Sequence, residues 1–148
     1  MTFSQTMAAG LAVAALAAAG SVDTCRVDLA EPGAPQLEFT VLGQSQGGAG
    51  EAPQVDSVSA GQVVLRGVIG TPTPCYTIEA DLEQDGSTLT VSLEATDQGG
   101  ICIQVLGAFA YRARLHGLSA GSHTIAVTAA YPGTGWQTRA DTLQVEIP

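Results

Sequence analysis

The 148-residue chain is long enough for one domain with a buried core, and with 45% hydrophobic but only 5% aromatic residues that core must be built from Val, Leu, Ile and Ala. Fourteen acidic residues stand against five arginines and no lysine. The resulting net charge of −9 argues against binding nucleic-acid phosphates or docking on an anionic membrane surface.

Residues 1–20 read as a secretory signal. Met7 to Ala19 is an uncharged Ala/Leu/Val run, too short to span a bilayer as a helix, and Ala17-Ala18-Ala19 offers a small-residue cleavage site. The segment before it lacks Lys and Arg, leaving only the α-amino group as positive charge. Cys25 stands where a bacterial lipoprotein would carry its acylated cysteine, but Asp23 and Thr24 depart from the small residues such a site needs. Two readings of Cys25 stay open: lipidation, or a free or intermolecular thiol in a flexible acidic tail over 21–35.

From residue 36 the period turns to two. Leu37, Phe39 and Val41 alternate with polar residues as a half-buried strand does. Residues 43–53 read as a Gly-rich loop, followed by a short edge strand around Val55 and Val58. The strand after Gly61 contains Gly67, which predicts a bulge or a close backbone approach. Ile78, Ala80 and Leu82 then mirror Leu89, Val91 and Leu93 about Asp85-Gly86, which has the residues of a type I′ turn. A hairpin closed on that pair sets Leu82 against Leu89, Ala80 against Val91 and Ile78 against Leu93. Three more alternating strands follow, carrying Phe109 to Leu115, Ile125 to Tyr131 and Leu143 to Ile147. Arg112 and Arg114 lie opposite the first of these apolar faces. Seven to eight short strands without later helical periodicity predict an all-β antiparallel sandwich over 36–148.

The segment Tyr111 to Val127, with the phrase L-x-G-L-x-x-G at Leu115–Gly121, resembles the E–F region of fibronectin type III and related bacterial immunoglobulin-like domains. The resemblance covers about residues 54–148. It implies an immunoglobulin-like fold and no particular activity.

Cys75 and Cys102 flank the hairpin and predict a disulfide, since neither a CxxC spacing nor a neighbouring His supports a metal or redox pair. His116 and His123 flank the GLSAGS connection and could approach each other across paired strands, but two imidazoles make half a zinc site. Asp81, Glu83 and Asp85-Gly86 look superficially like a calcium loop, yet Ser92 stands where the bidentate Glu should be. Catalytic templates are absent, and neither cofactor nor metal is expected. Trp136, with Pro132 and Thr134 in the loop before the last strand, forms the candidate binding loop, with capping of the core as the competing role. TPTPCY, TDQGG and PGTGW should share one end of the sandwich, which is similar to the three-loop arrangement of chagasin-type cysteine-protease inhibitors. Pro74, Cys75 and the missing Arg-Pro before Trp136 depart from that pattern. The chain is thus expected to be a non-enzymatic, secreted or envelope-associated binding or structural module. Its partner would be an unknown protein or envelope component, with no membrane insertion after signal removal unless Cys25 is acylated. A loop-mediated protease inhibitor is the alternative.

Overall fold

The computed structural model describes residues 33–148. The expected signal segment, Cys25 and the acidic tail up to residue 32 lie outside the described residues. Eight strands follow in order: β1 (Gln36–Gln46), β2 (Glu51–Ser59), β3 (Gln62–Thr71), β4 (Tyr76–Asp85), β5 (Thr88–Asp97), β6 (Gly107–His116), β7 (Gly121–Ala130) and β8 (Arg139–Ile147). They form two four-stranded sheets, ordered β1-β6-β3-β2 and β4-β5-β7-β8, and the molecule is a β-sandwich. No helix among the described residues is long and apolar enough to cross a membrane.

Period-two patterning builds the core between the sheets. Leu89, Val91, Leu93 and Ala95 of β5 are buried, as are Phe109, Tyr111, Ala113 and Leu115 of β6, and Ile125, Val127 and Ala129 of β7. Each fully buried Leu or Ile, such as Leu65, Leu115 and Ile125, contributes about 1.5–3 kcal/mol from transfer out of water. Arg114 projects outward and pairs with Glu38 at 2.8 Å, and Arg66 pairs with Asp56 at 3.0 Å. Such exposed pairs are worth at most about 1 kcal/mol each.

Three expectations need correction. The hairpin closes on Gly86-Ser87, not Asp85-Gly86, so Asp85 pairs with Thr88 and Leu82 with Val91. Gly86, at φ 59°, takes the left-handed backbone at the first loop position. A type I′ loop on Asp85-Gly86 would have put that strain on Asp85 as well. Because the two registers differ by two residues, every side chain keeps its face, and Ile78, Ala80 and Leu82 still meet apolar partners.

The Gly-rich stretch 43–53 is mostly strand, with only residues 47–50 between β1 and β2. These strands are opposite edges of one sheet, so the link must cross the ends of β6 and β3. Small residues permit that crossing: a Cβ on Gly48 would lie 2.8 Å from Ala108 Cβ, and one on Gly50 would lie 2.8 Å from the Gly70 nitrogen.

The third correction is topological. Strand β5 pairs with β7 in parallel, from Thr88–Thr124 to Glu94–Ala130. The immunoglobulin arrangement keeps both sheets antiparallel, so this sheet departs from it. Gly67 stays in register with Tyr111 in the β3–β6 ladder, while the β2–β3 ladder shifts register opposite it, between Glu51–Val68 and Gln54–Arg66. It also permits a close approach by the Tyr111 ring.

Candidate functional site

Strand directions gather the connections at one pole. The start of β4, the end of β5, the start of β6 and the end of β7 all lie there by register, as do residues 47–50. TPTPCY, TDQGG and PGTGW therefore share an end, as expected. The opposite pole holds Gln36, paired with His116, and Ile147, paired with Gly121. The described chain thus enters and leaves on the side away from these loops.

Two of the loops are joined covalently. Cys75 and Cys102 form a disulfide with a Cα–Cα distance of 6.1 Å. Around it, the Gln98 amide donates to the Cys75 carbonyl at 3.0 Å, and the Thr71 hydroxyl donates to the Thr73 carbonyl at 2.6 Å. The Gln44 side-chain amide donates to the Pro74 carbonyl. On both sides of Cys102 the chain turns its apolar side chains outward: Ile101 is fully exposed, and Ile103, Val105 and Leu106 are exposed as well. No residue from 98 to 107 is charged. An uncharged, aliphatic loop held away from the core is a mark of an interaction surface.

The third loop is folded by Thr134. Its hydroxyl donates to the Tyr131 carbonyl at 2.8 Å and accepts the Trp136 amide at 3.1 Å. That turn brings Trp136 edge-on to Tyr131, with ring centroids 5.3 Å apart and planes at 65°. Thr134 is half-buried and shapes the loop, whereas Pro132 is exposed. Trp136 remains 41% exposed. It does not seal the core.

Instead it stands at the mouth of a cavity of about 240 Å³ on the side of the sandwich where β2 and β8 face each other. Ile69, Leu93, Val127 and Ala129 form the apolar floor, with Tyr111 and Tyr131 among them. Glu51, Gln137, Arg139 and Asp141 bring polar groups to its walls. Arg139 and Asp141 sit opposite Ala129 and Val127 and form an ion pair at 2.9 Å. They continue backwards the inward stripe of Leu143, Val145 and Ile147, so two charges occupy core-facing register where the sandwich opens. The Tyr111 phenol is pushed up to about 12 by burial, with the Asp141 carboxylate adding to the shift and Arg139 opposing it. The Tyr131 phenol is also raised by burial, again opposed by Arg139.

The remaining candidates disperse. His116 belongs to the β1-β6-β3-β2 sheet and His123 to the other, so they are not on paired strands. His123 is buried, with Nε2 2.9 Å from the Ser119 carbonyl. Asp81, Glu83 and Asp85 are exposed along β4. No group of three or more metal-ligating side chains occurs among the described residues. Sequence reasoning missed the cleft and the aliphatic loop. Extrapolating the β8 stripe to Arg139 and Asp141 was the available signal for the former.

A family model described as the ORF11 beta-sandwich domain matches residues 67–135. The match runs from Gly67 in β3 through β4 to β7 and stops just short of Trp136, covering a little under half of the chain. It agrees with the β-sandwich. No curated protein and no solved structure matches the chain significantly.

Proposed function

We propose that this chain is a non-enzymatic binding module, secreted or envelope-associated, that engages a protein partner with the disulfide-linked loops at one pole. The observation that carries the reading is the row Ile101, Ile103, Val105 and Leu106, exposed on an uncharged loop and tied back at Cys102. Fixing such a loop beforehand lowers the ordering cost of association, and its aliphatic side chains offer area to an apolar groove. The groups around the neighbouring cleft are phenols, an indole and a guanidinium–carboxylate pair, a set suited to holding rather than transforming a ligand. Export is supported by the apolar segment 7–19 and by the disulfide, which persists in oxidising compartments. The likeness of Leu115–Gly121 to fibronectin type III modules speaks to the fold alone, and the parallel β5–β7 pair weighs against their standard topology.

The experiment is site-specific photo-crosslinking in the native host. A photoreactive residue at position 101 should yield a discrete protein adduct that excess wild-type protein competes away and that Ile103→Ser abolishes without loss of folding. The same probe at position 146, at the other pole, should yield none. Adducts indifferent to Ile103→Ser would overturn the reading.

Protease inhibition is the second reading. It is favoured by the shared pole of residues 72–75, 98–106 and 131–138. The cysteine at position 75 and the turn of Trp136 toward Tyr131 count against it. An assay against papain-type proteases decides it: no inhibition by micromolar protein retires the idea.

A further inference from the structure

We infer that the cleft beneath Trp136 is a second binding site, one that takes a single ring of a neutral saccharide. This goes beyond the protein-binding reading and rests on different residues.

The size of the site limits what it holds. A volume of about 240 Å³ equals roughly eight times the ~30 Å³ share of a water molecule, and it falls below the ~300 Å³ where pockets for drug-sized ligands begin. One substituted six-membered ring fits that space, with the rest of a chain left outside the open mouth.

Its chemistry limits the ligand further. Trp136 and Tyr131 meet edge-on and both line the cleft, and Trp136 is half-exposed. Arg139 and Asp141 line the same cleft, paired through Arg139 Nε and Asp141 Oδ2, which leaves the terminal guanidinium nitrogens and the second carboxylate oxygen for other partners. No hydrogen bond among the described residues uses the Tyr111 or Tyr131 hydroxyl or the Trp136 indole N–H. The cleft thus combines donors and acceptors with aromatic and aliphatic surface. A sugar ring has the same combination: a C–H face for the aromatic rings and adjacent hydroxyls for a paired guanidinium and carboxylate.

Charge disfavours the competitors. Asp141 and Glu51 oppose an anion, while Arg139 is close enough to Tyr131 and Tyr111 to act on both phenols and opposes a cation held against those rings. A purely hydrocarbon ligand would strip water from the ion pair without replacing its hydrogen bonds, which costs free energy. A neutral polyol satisfies both the aromatic and the charged groups of the lining.

The sole tryptophan reports the site directly. Wild-type protein is titrated with soluble neutral oligosaccharides (β-1,4-linked glucose and N-acetylglucosamine oligomers, α-linked mannose and glucose oligomers), with oligogalacturonate and choline as charged controls. A saturating change in Trp136 emission is expected with at least one neutral sugar, at micromolar to millimolar concentration. Asp141→Asn should weaken it by about tenfold or more, and Thr142→Ala, on the outer face of the same strand, should leave it unchanged. Should Asp141→Asn unfold the protein, Gln137→Ala replaces it, read by calorimetry as well as fluorescence. No response to any neutral sugar at millimolar concentration, or a response to choline or galacturonate alone, overturns the proposal. Neither outcome bears on crosslinking at position 101.

Discussion

Gly67 and Tyr111 face each other directly across the β3–β6 ladder, and the Tyr111 ring fills the space that a side chain on Gly67 would need. A Cβ built there would stand 2.5 Å from the Tyr111 hydroxyl oxygen and 2.7 Å from the ring carbon bearing it. Tyr111 is buried and packs against Phe39 at a centroid distance of 5.5 Å, so the ring has little room to retreat. Gly67→Ala should therefore cost about 1–3 kcal/mol, the range for overpacking a core. Denaturant titration measures it, and Gly67→Ala combined with Tyr111→Phe should recover part of the loss.

The same tyrosine sets an alkaline limit. Its phenol is raised from 10.0 to about 12 in the folded protein, so the fold favours the neutral form. Between about pH 10 and 12 the unfolded chain has released a proton that the native state still holds, and stability falls with rising pH. The shift corresponds to roughly 2–3 kcal/mol, fully present below pH 10 and lost by about pH 12. Unfolding midpoints at pH 8 and pH 11 should diverge more for wild type than for Tyr111→Phe.

The disulfide spans 27 residues of sequence. In the chain-entropy treatment, closing a loop of that length contributes about 3.5 kcal/mol, less any native-state strain. The Cys75→Ser, Cys102→Ser double variant should unfold at correspondingly lower denaturant concentration. Peptide mapping without reductant should join Cys75 to Cys102 and leave Cys25 outside the pair.

Glu79 and Glu94 are exposed and directly opposed in the β4–β5 hairpin. Replacing one of two opposed like charges with the opposite sign should stabilise by about 0.2–1 kcal/mol. Glu94→Lys should show that gain at low ionic strength and lose most of it at ~1 M salt. The gain should vanish in a Glu79→Gln background. A hairpin turned on Asp85-Gly86 would set Glu79 against Ser92 and show no such coupling.

Alternation made the strands and their inward faces legible, because burial on one side of a sheet enforces a period of two. The hairpin turn was less legible, since an even shift in register preserves both faces, and only the backbone demand at Gly86 separates the alternatives. The pairing of β5 with β7 was beyond reach, as nothing local marks which distant strand will lie alongside Val91. At the candidate site, the common pole of the loops follows from strand direction and could be read. The exposure of Ile101 and Ile103 could not, because alternating aliphatic residues look the same whether they point into a core or away from it. Arg139 and Asp141 were readable as charges in an inward stripe. What they face required the opposite edge strand, β2.

The parallel β5–β7 pairing has a kinetic consequence. Strands β4 and β5 form one local hairpin, β7 and β8 form another, and the sheet exists only once the two dock along that seam. Between them the chain must also finish β6 in the other sheet. Non-local closures of this kind are slow, in the millisecond-to-second range for all-β domains. Until they are made, β5 and β7 each present an open edge of Val, Leu, Ile and Thr. Such edges are the places where two copies of a chain can exchange hairpins, so refolding at high concentration should yield swapped dimers built on this seam before any other.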